Sequence, residues 1–272
     1  MIVLCGAVVL VASAFGSQII TRDVTRTTLK IDKKGHAYVS YYQGGRKKRL
    51  AAWGAINARK PSASVPQVKF HIQYGARGKG VCLPYDGPPL AWLVKACKAP
   101  DGSYWAIQAW HRRWHNYGGS TGQKEFHLSH WRGPLAELVL YQNWSGPNHV
   151  RHVFGRYTYK GVGVYGFKNT PQGVPQDGYG RNIYVDTYGS SYGKGWHREN
   201  SFLTHRLSDT PGTFCLLFHP EGQGTKYRAT AIGPGVTPDV MWQADDIGAY
   251  DQTTQDQMLA LEKSWGDPKC KT

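Results

Sequence analysis

Residues 154–196 decide the fold of this chain, and they read FGRYTYKGVGVYGFKNTPQGVPQDGYGRNIYVDTYGSSYGKGW. Tyrosine, valine and threonine recur there in short runs, and glycine separates the runs. Aromatic and β-branched side chains favour the pleated strand, whereas glycine is typical of the turns and bulges between strands. The stretch therefore predicts consecutive β-strands joined by tight turns, including a hairpin about Lys160-Gly161.

The same kind of pattern extends through the chain on both sides of this stretch. The clearest case is Val68–Tyr74, in which apolar residues alternate strictly with polar ones, as they do in a strand with one buried face. Residues 27–56 predict a three-stranded meander. Residues 90–110 predict a hairpin across the turn Ala99–Gly102, where proline sets φ and glycine takes the left-handed position. A helix over Leu90–Ala96 is the alternative, because a short apolar run suits either element.

One helix is predicted, near the C-terminal end of the chain at residues 251–265. Asp251 or Thr253 can cap its first turn. Its apolar face carries, at i, i+3 and i+7 spacing, Met258, Leu261 and Trp265. Strands and helix together predict an all-β protein, an antiparallel β-sandwich-like domain with hairpins and meanders and one short C-terminal helix.

The segment Met1–Ala14 is an apolar run that ends in the small residues Ala12-Ser13-Ala14. Signal peptides end in such a triplet, and the run is shorter than the roughly 18 residues of a transmembrane helix. We therefore expect a signal peptide at residues 1–14, although it lacks the usual basic start. The alternative is a buried N-terminal strand. The mature chain, residues 15–272, is expected to be one β-rich domain at the cell surface or outside the cell, with no transmembrane segment.

Four cysteines remain after the predicted signal peptide, and in an exported protein they are expected to form disulfides. They are Cys82, Cys97, Cys215 and Cys270. Four cysteines allow three pairings; we favour Cys82–Cys97, which closes a short loop, with Cys215–Cys270 holding the C-terminal tail. The Cys-x-x-Cys spacing of zinc sites does not occur, so we expect no metal and no cofactor.

Charge is divided unevenly along the chain. The net charge is +15; residues 15–160 carry 23 Lys and Arg against 6 Asp and Glu, whereas the remaining residues, 161–272, carry 10 against 12. A strongly basic surface attracts anionic polymers, which outside a cell include acidic polysaccharides and wall polymers. The run Arg46-Lys47-Lys48-Arg49 is the candidate for steering such a polymer, with a solvated turn as the alternative. Nucleic acid is disfavoured as the partner because no nucleic-acid-binding motif accompanies the charge.

The aromatic and glycine-rich part, residues 161–250, contains the candidate ligand site. Along a strand, Ile183 and Val185 would point into the core while Tyr184, Asp186 and Tyr188 point to the other face. A carboxylate between flat aromatic rings suits a sugar, which stacks on the rings and hydrogen-bonds to the polar group. The predicted ligand-binding residues are Tyr157, Tyr184, Asp186, Tyr188 and Trp196. The alternative is that a second sheet covers this face.

A catalytic centre is not predicted, because no motif of a known active site occurs. The alternative function is a secreted hydrolase of wall glycan or nucleic acid that uses a histidine and a carboxylate as base and orienting group. Its candidates would be His127 with Asp186, or His197 with Glu199. His127 and His130 would lie on opposite faces of one strand. The sequence thus predicts a secreted, non-enzymatic protein that binds glycan or another anionic surface polymer through aromatic platforms and basic loops.

Overall fold

A computed structural model describes residues 17–62, 65–112, 117–164, 180–202, 216–218 and 220–264. In these ranges the chain forms seventeen β-strands and one helix. They are β1 Gln18–Arg22, β2 Thr25–Ile31, β3 Ala37–Gln43, β4 Arg46–Gly54, β5 Phe70–Tyr74, β6 Leu93–Lys98, β7 Tyr104–His111, β8 Gly119–Ser120, β9 Lys124–Trp131, β10 Glu137–Ser145, β11 Val150–Tyr159, β12 Val162–Gly163, β13 Ile183–Ser190, β14 Gly193–Phe202, β15 Leu216–Phe218, β16 Lys226–Ala231, β17 Val240–Asp245 and α1 Gln252–Ser264. The predicted all-β, sandwich-like fold with one C-terminal helix is confirmed. The predicted signal peptide, Cys215, Cys270 and Trp265 lie outside the described residues.

The strands form four antiparallel sheets, which we number in the order in which they stack. Sheet I has the order β2-β3-β4-β5, and sheet II has the order β1-β9-β7-β6. Sheet III has the order β17-β16-β13-β14-β8, and in sheet IV β10 pairs with β11, which also pairs with β12 and β15. The predicted meander is β2-β3-β4, and the predicted hairpin of residues 90–110 is β6-β7.

Glycine and its neighbours set the hairpins, as the sequence indicated. Lys160 and Gly161 both have positive φ, 52° and 74°, which is the backbone of the two-residue turn that matches strand twist. They join β11 to β12. Gly155 allows β11 to lie directly against β10, because a Cβ atom there would lie 2.0 Å from the carbonyl oxygen of Val139. Glycine therefore accounts both for a turn and for close strand packing in this stretch.

Two apolar cores lie in the two sandwiches. The core between sheets I and II contains buried residues such as Leu29, Leu50, Trp105, Ile107 and Leu128. The core between sheets III and IV contains others, among them Leu140, Tyr157, Ile183, Val185 and Ala231. Each fully buried large side chain of this kind stabilises the fold by about 1.5–3 kcal/mol relative to an exposed one.

Sheets II and III join the two sandwiches. The rings of Trp110 on β7 and Tyr184 on β13 meet edge to face, with centroids 5.3 Å apart. The side chain of Gln108, also on β7, donates to the carbonyl oxygen of Asp239 and accepts from its N–H, both at 2.8 Å. Sheets II and III are therefore covered on both faces along much of their length.

The helix is held against sheet IV by polar contacts as well as by its apolar residues. Asp251 caps it, since its carboxylate accepts from the N–H of Thr254 at 2.7 Å, as predicted. Met258 and Leu261 are half-buried, whereas Glu262 is almost fully buried and pairs with His152 on β11 at 3.1 Å. No helix in the described ranges has the length and the apolar composition needed to cross a bilayer.

The disulfide Cys82–Cys97 is present, as predicted, and closes a local loop of sequence separation 15. Cys97 lies on β6 and is fully buried in the core between sheets I and II. The bond therefore ties the loop before β6 to that core.

Candidate ligand-binding surfaces

A cluster of cations surrounds the outer side and one edge of sheet I, and we call it the basic face. Its members are Arg22, Lys30, Lys47, Lys48, Arg49, Arg77 and Lys79. Two depressions of about 850 and 500 Å³ open there, and both are lined by Lys47, Arg49 and Arg77. The two depressions therefore adjoin each other at these three side chains, and we refer to them together as the groove.

Strand pairing explains why these side chains lie together. Lys30 on β2 is opposite Tyr38 on β3, and Ser40 on β3 is opposite Arg49 on β4. Alternate residues of a strand point to the same face, so Lys30, Lys47 and Arg49 share the outer face while their neighbours Val39 and Leu50 enter the core. Lys48 is opposite the buried Tyr41 and lines the larger depression with Ile20 and Arg22 of β1. The sheet thus presents the charges at fixed spacing.

The run Arg46–Arg49 requires a correction, because it lies within a strand and is not a basic loop. These residues are the first four of β4, and they pair with β3 from Gln43, opposite Arg46, back to Ser40, opposite Arg49. The turn before them consists only of Gly44 and Gly45, both with positive φ, so the strand begins at once. Lys47, Lys48 and Arg49 line the groove, whereas Arg46 is exposed at the strand's start.

The charges of the basic face are largely uncompensated. Six of its seven members are exposed, and Arg49 is half-buried. Among the described residues, only Arg22 of these seven lies within ion-pairing distance of a carboxylate, that of Glu125 at 2.8 Å. The described lining of both depressions contains no Asp or Glu. The groove therefore has a positive potential that an anionic ligand would neutralise.

One exposed aromatic ring lies in this groove. Tyr74 at the end of β5 is 60% exposed, and its hydroxyl donates to the carbonyl oxygen of Ile20 at 3.2 Å. The hydrogen bond fixes a ring that would otherwise be free, and a fixed aromatic face is suited to stacking. Tyr38 lines the neighbouring depression, but a Cβ atom on Gly78 would lie 2.0 Å from its ring, so the backbone covers that ring.

The five predicted ligand-binding residues do not form one site in the structure. Tyr157 is fully buried between sheets III and IV, and its hydroxyl donates to the carbonyl oxygen of Ile232 at 2.5 Å. Tyr184 and Asp186 are buried under sheet II, so the alternative prediction, that a second sheet covers this face, holds for them. Tyr188 is 39% exposed and packs on the half-buried Trp196, with ring centroids 5.3 Å apart. A ligand in solution can therefore reach Tyr188 and Trp196, whereas Tyr157 and Tyr184 are inaccessible.

A smaller pocket of about 340 Å³ opens where sheets II and III meet, and we call it the tryptophan pocket. It is lined by Trp92, Trp110, His111, Thr121, Asp186, Trp196 and Arg228. The guanidinium of Arg228 lies between two indoles, 3.9 Å from the ring centre of Trp196 and 4.5 Å from that of Trp92. Cation–π contacts of this kind hold the arginine and the two rings in one arrangement.

Asp186 forms the base of the tryptophan pocket together with two arginines. Arg198 donates through Nε to Oδ1 of Asp186 at 2.5 Å, and Arg228 donates through Nη2 to Oδ2 at 2.7 Å. Both arginines lie directly opposite Asp186, on β14 and β16. Among the described residues, one carboxylate thus faces two guanidinium groups at the base of the pocket.

A second buried ionic cluster lies beside the pocket, centred on His127 of β9. Nδ1 of His127 is 3.0 Å from Oδ2 of Asp239, and Nε2 is 3.6 Å from Oε2 of Glu125. Burial opposes the charged imidazole, but Asp239 and Glu125 raise the pKa of His127 above its usual value. Burial likewise opposes the ionised Glu125 carboxyl, but His127, Arg112 and Arg22 lower its pKa to about 2.

The candidates for hydrolysis occupy structural positions. In the described part of the chain, neither His127 with Asp186 nor His197 with Glu199 forms a hydrogen bond. His197 faces the carbonyl oxygens of Gly118 and Lys194. Glu199 is fully buried, and its carboxylate accepts from several groups. These donors are Thr187 Oγ1, the Tyr192 hydroxyl and the N–H groups of Glu221 and Gly222.

Sequence reasoning missed the partners of the residues that it selected. Arg228 and Trp92 come from separate segments, and only the antiparallel pairing of β13 with β16 brings Arg228 to Asp186. Arg77 and Lys79 lie in a loop without strand pattern. Their charge in the basic half of the chain was the available signal, but it does not locate them.

Neither metal ligands in the described residues nor similarity to known proteins points to a function for this chain. In the ranges that the structure describes, no three His, Cys, Asp or Glu side chains converge as a metal site would require. Comparison with protein-family models, curated proteins and solved structures found no match to this chain.

Proposed function

We propose that this chain is a secreted, non-enzymatic protein that binds an acidic glycan along the basic face. Carboxylate or sulfate groups spaced along an extended polysaccharide would meet Lys47, Arg49 and Arg77, which line both depressions of the groove. The uncompensated charge of this groove is the observation that carries the proposal. Cations without carboxylate partners repel one another, so an anionic ligand gains more there than at a surface of mixed charge.

Tyr74 supports a glycan as the polymer. Its exposed ring stands in the groove beside Lys48 and Arg49, all three lining the larger depression. Sugar rings stack on aromatic faces while their anionic substituents pair with neighbouring cations. Stacking depends little on salt and ion pairing depends strongly on it, so the two contributions can be separated by measurement.

An extracellular location fits the chemistry of both protein and ligand. The disulfide Cys82–Cys97 is typical of proteins in oxidising compartments. The apolar segment at residues 1–14 predicts export. Acidic polysaccharides are among the anionic polymers that such a protein would meet.

The test is binding of the full chain to immobilised polyuronate at several salt concentrations. The triple variant Lys47→Gln/Arg49→Gln/Arg77→Gln should bind roughly tenfold more weakly near 0.1 M salt and show a shallower salt dependence, because fewer counterions are released. The matched control is Lys160→Gln/Lys194→Gln/Lys263→Gln, which changes the net charge equally with residues outside the basic face. Tyr74→Ala should remove most of the binding that persists at high salt.

Two results would contradict this function. Equal losses in the two triple variants would show that net charge, and not the groove, determines binding. Tighter binding of a single-stranded oligonucleotide of the same charge than of polyuronate would identify nucleic acid as the preferred ligand.

A further inference from the structure

We infer that the tryptophan pocket is a second binding site, for a single six-membered ring that carries a carboxylate. This inference does not rest on the polymer proposal, because the basic face and the pocket lie on opposite sides of sheet II. A volume of about 340 Å³ is at the lower end for small-molecule sites and suits one ring.

Two polar groups of the pocket that lack a partner among the described residues are hydrogen-bond donors. Arg228 uses Nε and Nη2 on Asp186, and among the described residues its Nη1 has no hydrogen-bond partner. The indole N–H of Trp92 is buried and, among the same residues, also lacks one. A buried donor without an acceptor costs free energy, so the Trp92 N–H favours a ligand with acceptor oxygens, and Nη1 of Arg228 is a further donor for such a ligand. Thr121 adds a hydroxyl at the same pocket.

Charge selects the kind of acceptor. Both oxygens of Asp186 accept from arginines, Oδ1 from Arg198 and Oδ2 from Arg228, so the carboxylate is saturated with donors. Among the described residues, two guanidinium groups face this one carboxylate, so the base of the pocket carries more cationic than anionic groups. An anionic acceptor is therefore favoured over a neutral one, and a carboxylate has the planar geometry that guanidinium and indole N–H groups match.

The walls select the rest of the ligand. Trp92, Trp110 and Trp196 surround the pocket with aromatic surface, and the contacts of Arg228 to two of the indoles hold those rings in place. Fixed aromatic walls favour a compact ring that buries its apolar C–H faces while its carboxylate reaches Arg228. A uronic acid and an apolar ring carboxylate share this chemistry.

The experiment is titration of the full chain, selectively 15N-labelled at tryptophan, with sodium glucuronate, sodium cyclohexanecarboxylate and glucose. The indole N–H signal of Trp92, identified as the one missing in Trp92→Phe, should shift with both carboxylates and not with glucose. The carboxylate that binds more tightly shows whether the ligand of this pocket is an acidic sugar or an apolar acid. No shift with either carboxylate, or an equal shift with glucose, would overturn the inference.

Variants give the second readout. Trp92→Phe keeps an aromatic ring against Arg228 but removes the donor, so it should weaken binding of the preferred carboxylate roughly tenfold. Thr121→Val should weaken it by a smaller factor. The matched control Trp53→Phe, on sheet I, should bind as the unaltered chain does, and so should Lys47→Gln/Arg49→Gln/Arg77→Gln. Equal weakening by Trp92→Phe and Trp53→Phe would contradict the site, whatever the result with polyuronate.

Discussion

The two faces of sheet II lie a few ångströms apart, yet they are built on different chemistry. On β9, Phe126 and Leu128 point to sheet I and join an apolar core. Glu125 and His127 point to the other side, where they meet Arg112 and Asp239. Both faces are buried, so burial alone does not decide which residues a face carries. Partners decide it, because a buried charge is tolerated only where an opposite charge and hydrogen bonds accompany it.

His127 and His130 show the difference most directly. His130 faces sheet I, stacks on Trp105 at 3.9 Å and donates from Nδ1 to the carbonyl oxygen of Ala55 at 2.9 Å. Burial lowers its pKa to about 4, against the opposing effect of the backbone carbonyls, so it is neutral at pH 7. His127, three residues earlier, lies between two carboxylates that raise its pKa. The pKa values of one residue type are therefore shifted in opposite directions on the two faces.

The largest effect is expected at Asp239, whose carboxylate is surrounded by donors. Oδ1 accepts from Ser17 and from the N–H of Gly233, and Oδ2 accepts from Trp110 at 2.7 Å and from His127. Asp239→Asn places an amide among these donors and leaves Glu125 as the one described carboxylate beside His127. We expect a loss of about 3–5 kcal/mol in the free energy of unfolding, measured by urea denaturation at pH 7.

A double-mutant cycle checks the cause of that loss. If the orphaned charge of His127 is responsible, Asp239→Asn/His127→Gln should be less destabilised than the sum of the single changes. Additive losses would mean that the two groups do not interact. The face of sheet II that carries Glu125 and His127 would then be stabilised by hydrogen bonds and not by ion pairs.

The second effect concerns pH and sheet I. Because the pKa of His130 falls from 6.5 to about 4 on folding, the unfolded chain takes up this proton first as pH decreases. Stability that is fully present above pH 6.5 is therefore lost below it, by about 2 kcal/mol between pH 6.5 and 5. For His127 the sign is reversed, since a raised pKa gives stability that is lost as pH rises through the folded value.

The measurement is unfolding free energy against pH for the unaltered chain and for His130→Asn, which can keep a donor near the Ala55 carbonyl. The difference between the two curves should vary between pH 6.5 and 5 and be flat from pH 7 to 8. Histidine NMR signals offer an independent check. A His130 resonance that titrates near 6.5 would contradict a neutral, buried imidazole.

The sequence predicted local features of this arrangement better than distant ones. The hairpins, the Asp251 cap and the disulfide Cys82–Cys97 follow from residues that lie close in the chain, and all are confirmed. Strand alternation also placed His127 and His130 on opposite faces. The directions of their pKa shifts could not be predicted, because Asp239, which raises the pKa of His127, is brought there only by the packing of sheets II and III.

In the candidate sites, too, the sequence predicted local features better than contacts between distant segments. Asp186 and Trp196 were selected for residue type and do line one pocket, but Trp92 and Arg228 complete it from other parts of the chain. Tyr157 and Tyr184 have the same residue type as Tyr188, yet neighbouring sheets bury them. Alternation shows which residues share a face; it does not show whether another sheet covers that face.

The smallest effect is expected where the polar face reaches solvent. Arg22 and Arg112 pair with different oxygens of the same carboxylate, Glu125, at 2.8 and 2.6 Å, but their side chains are 51% and 3% exposed. Arg22→Gln should therefore cost less than about 1 kcal/mol, since water and salt screen its ion pair. Arg112→Gln is the matched variant and should cost about 3 kcal/mol or more, because it leaves buried charge without its partner. Urea denaturation at low and high salt compares the two. Equal losses would show that the strength of these ion pairs does not depend on burial. The two faces of sheet II would then differ only in the types of residue that they carry.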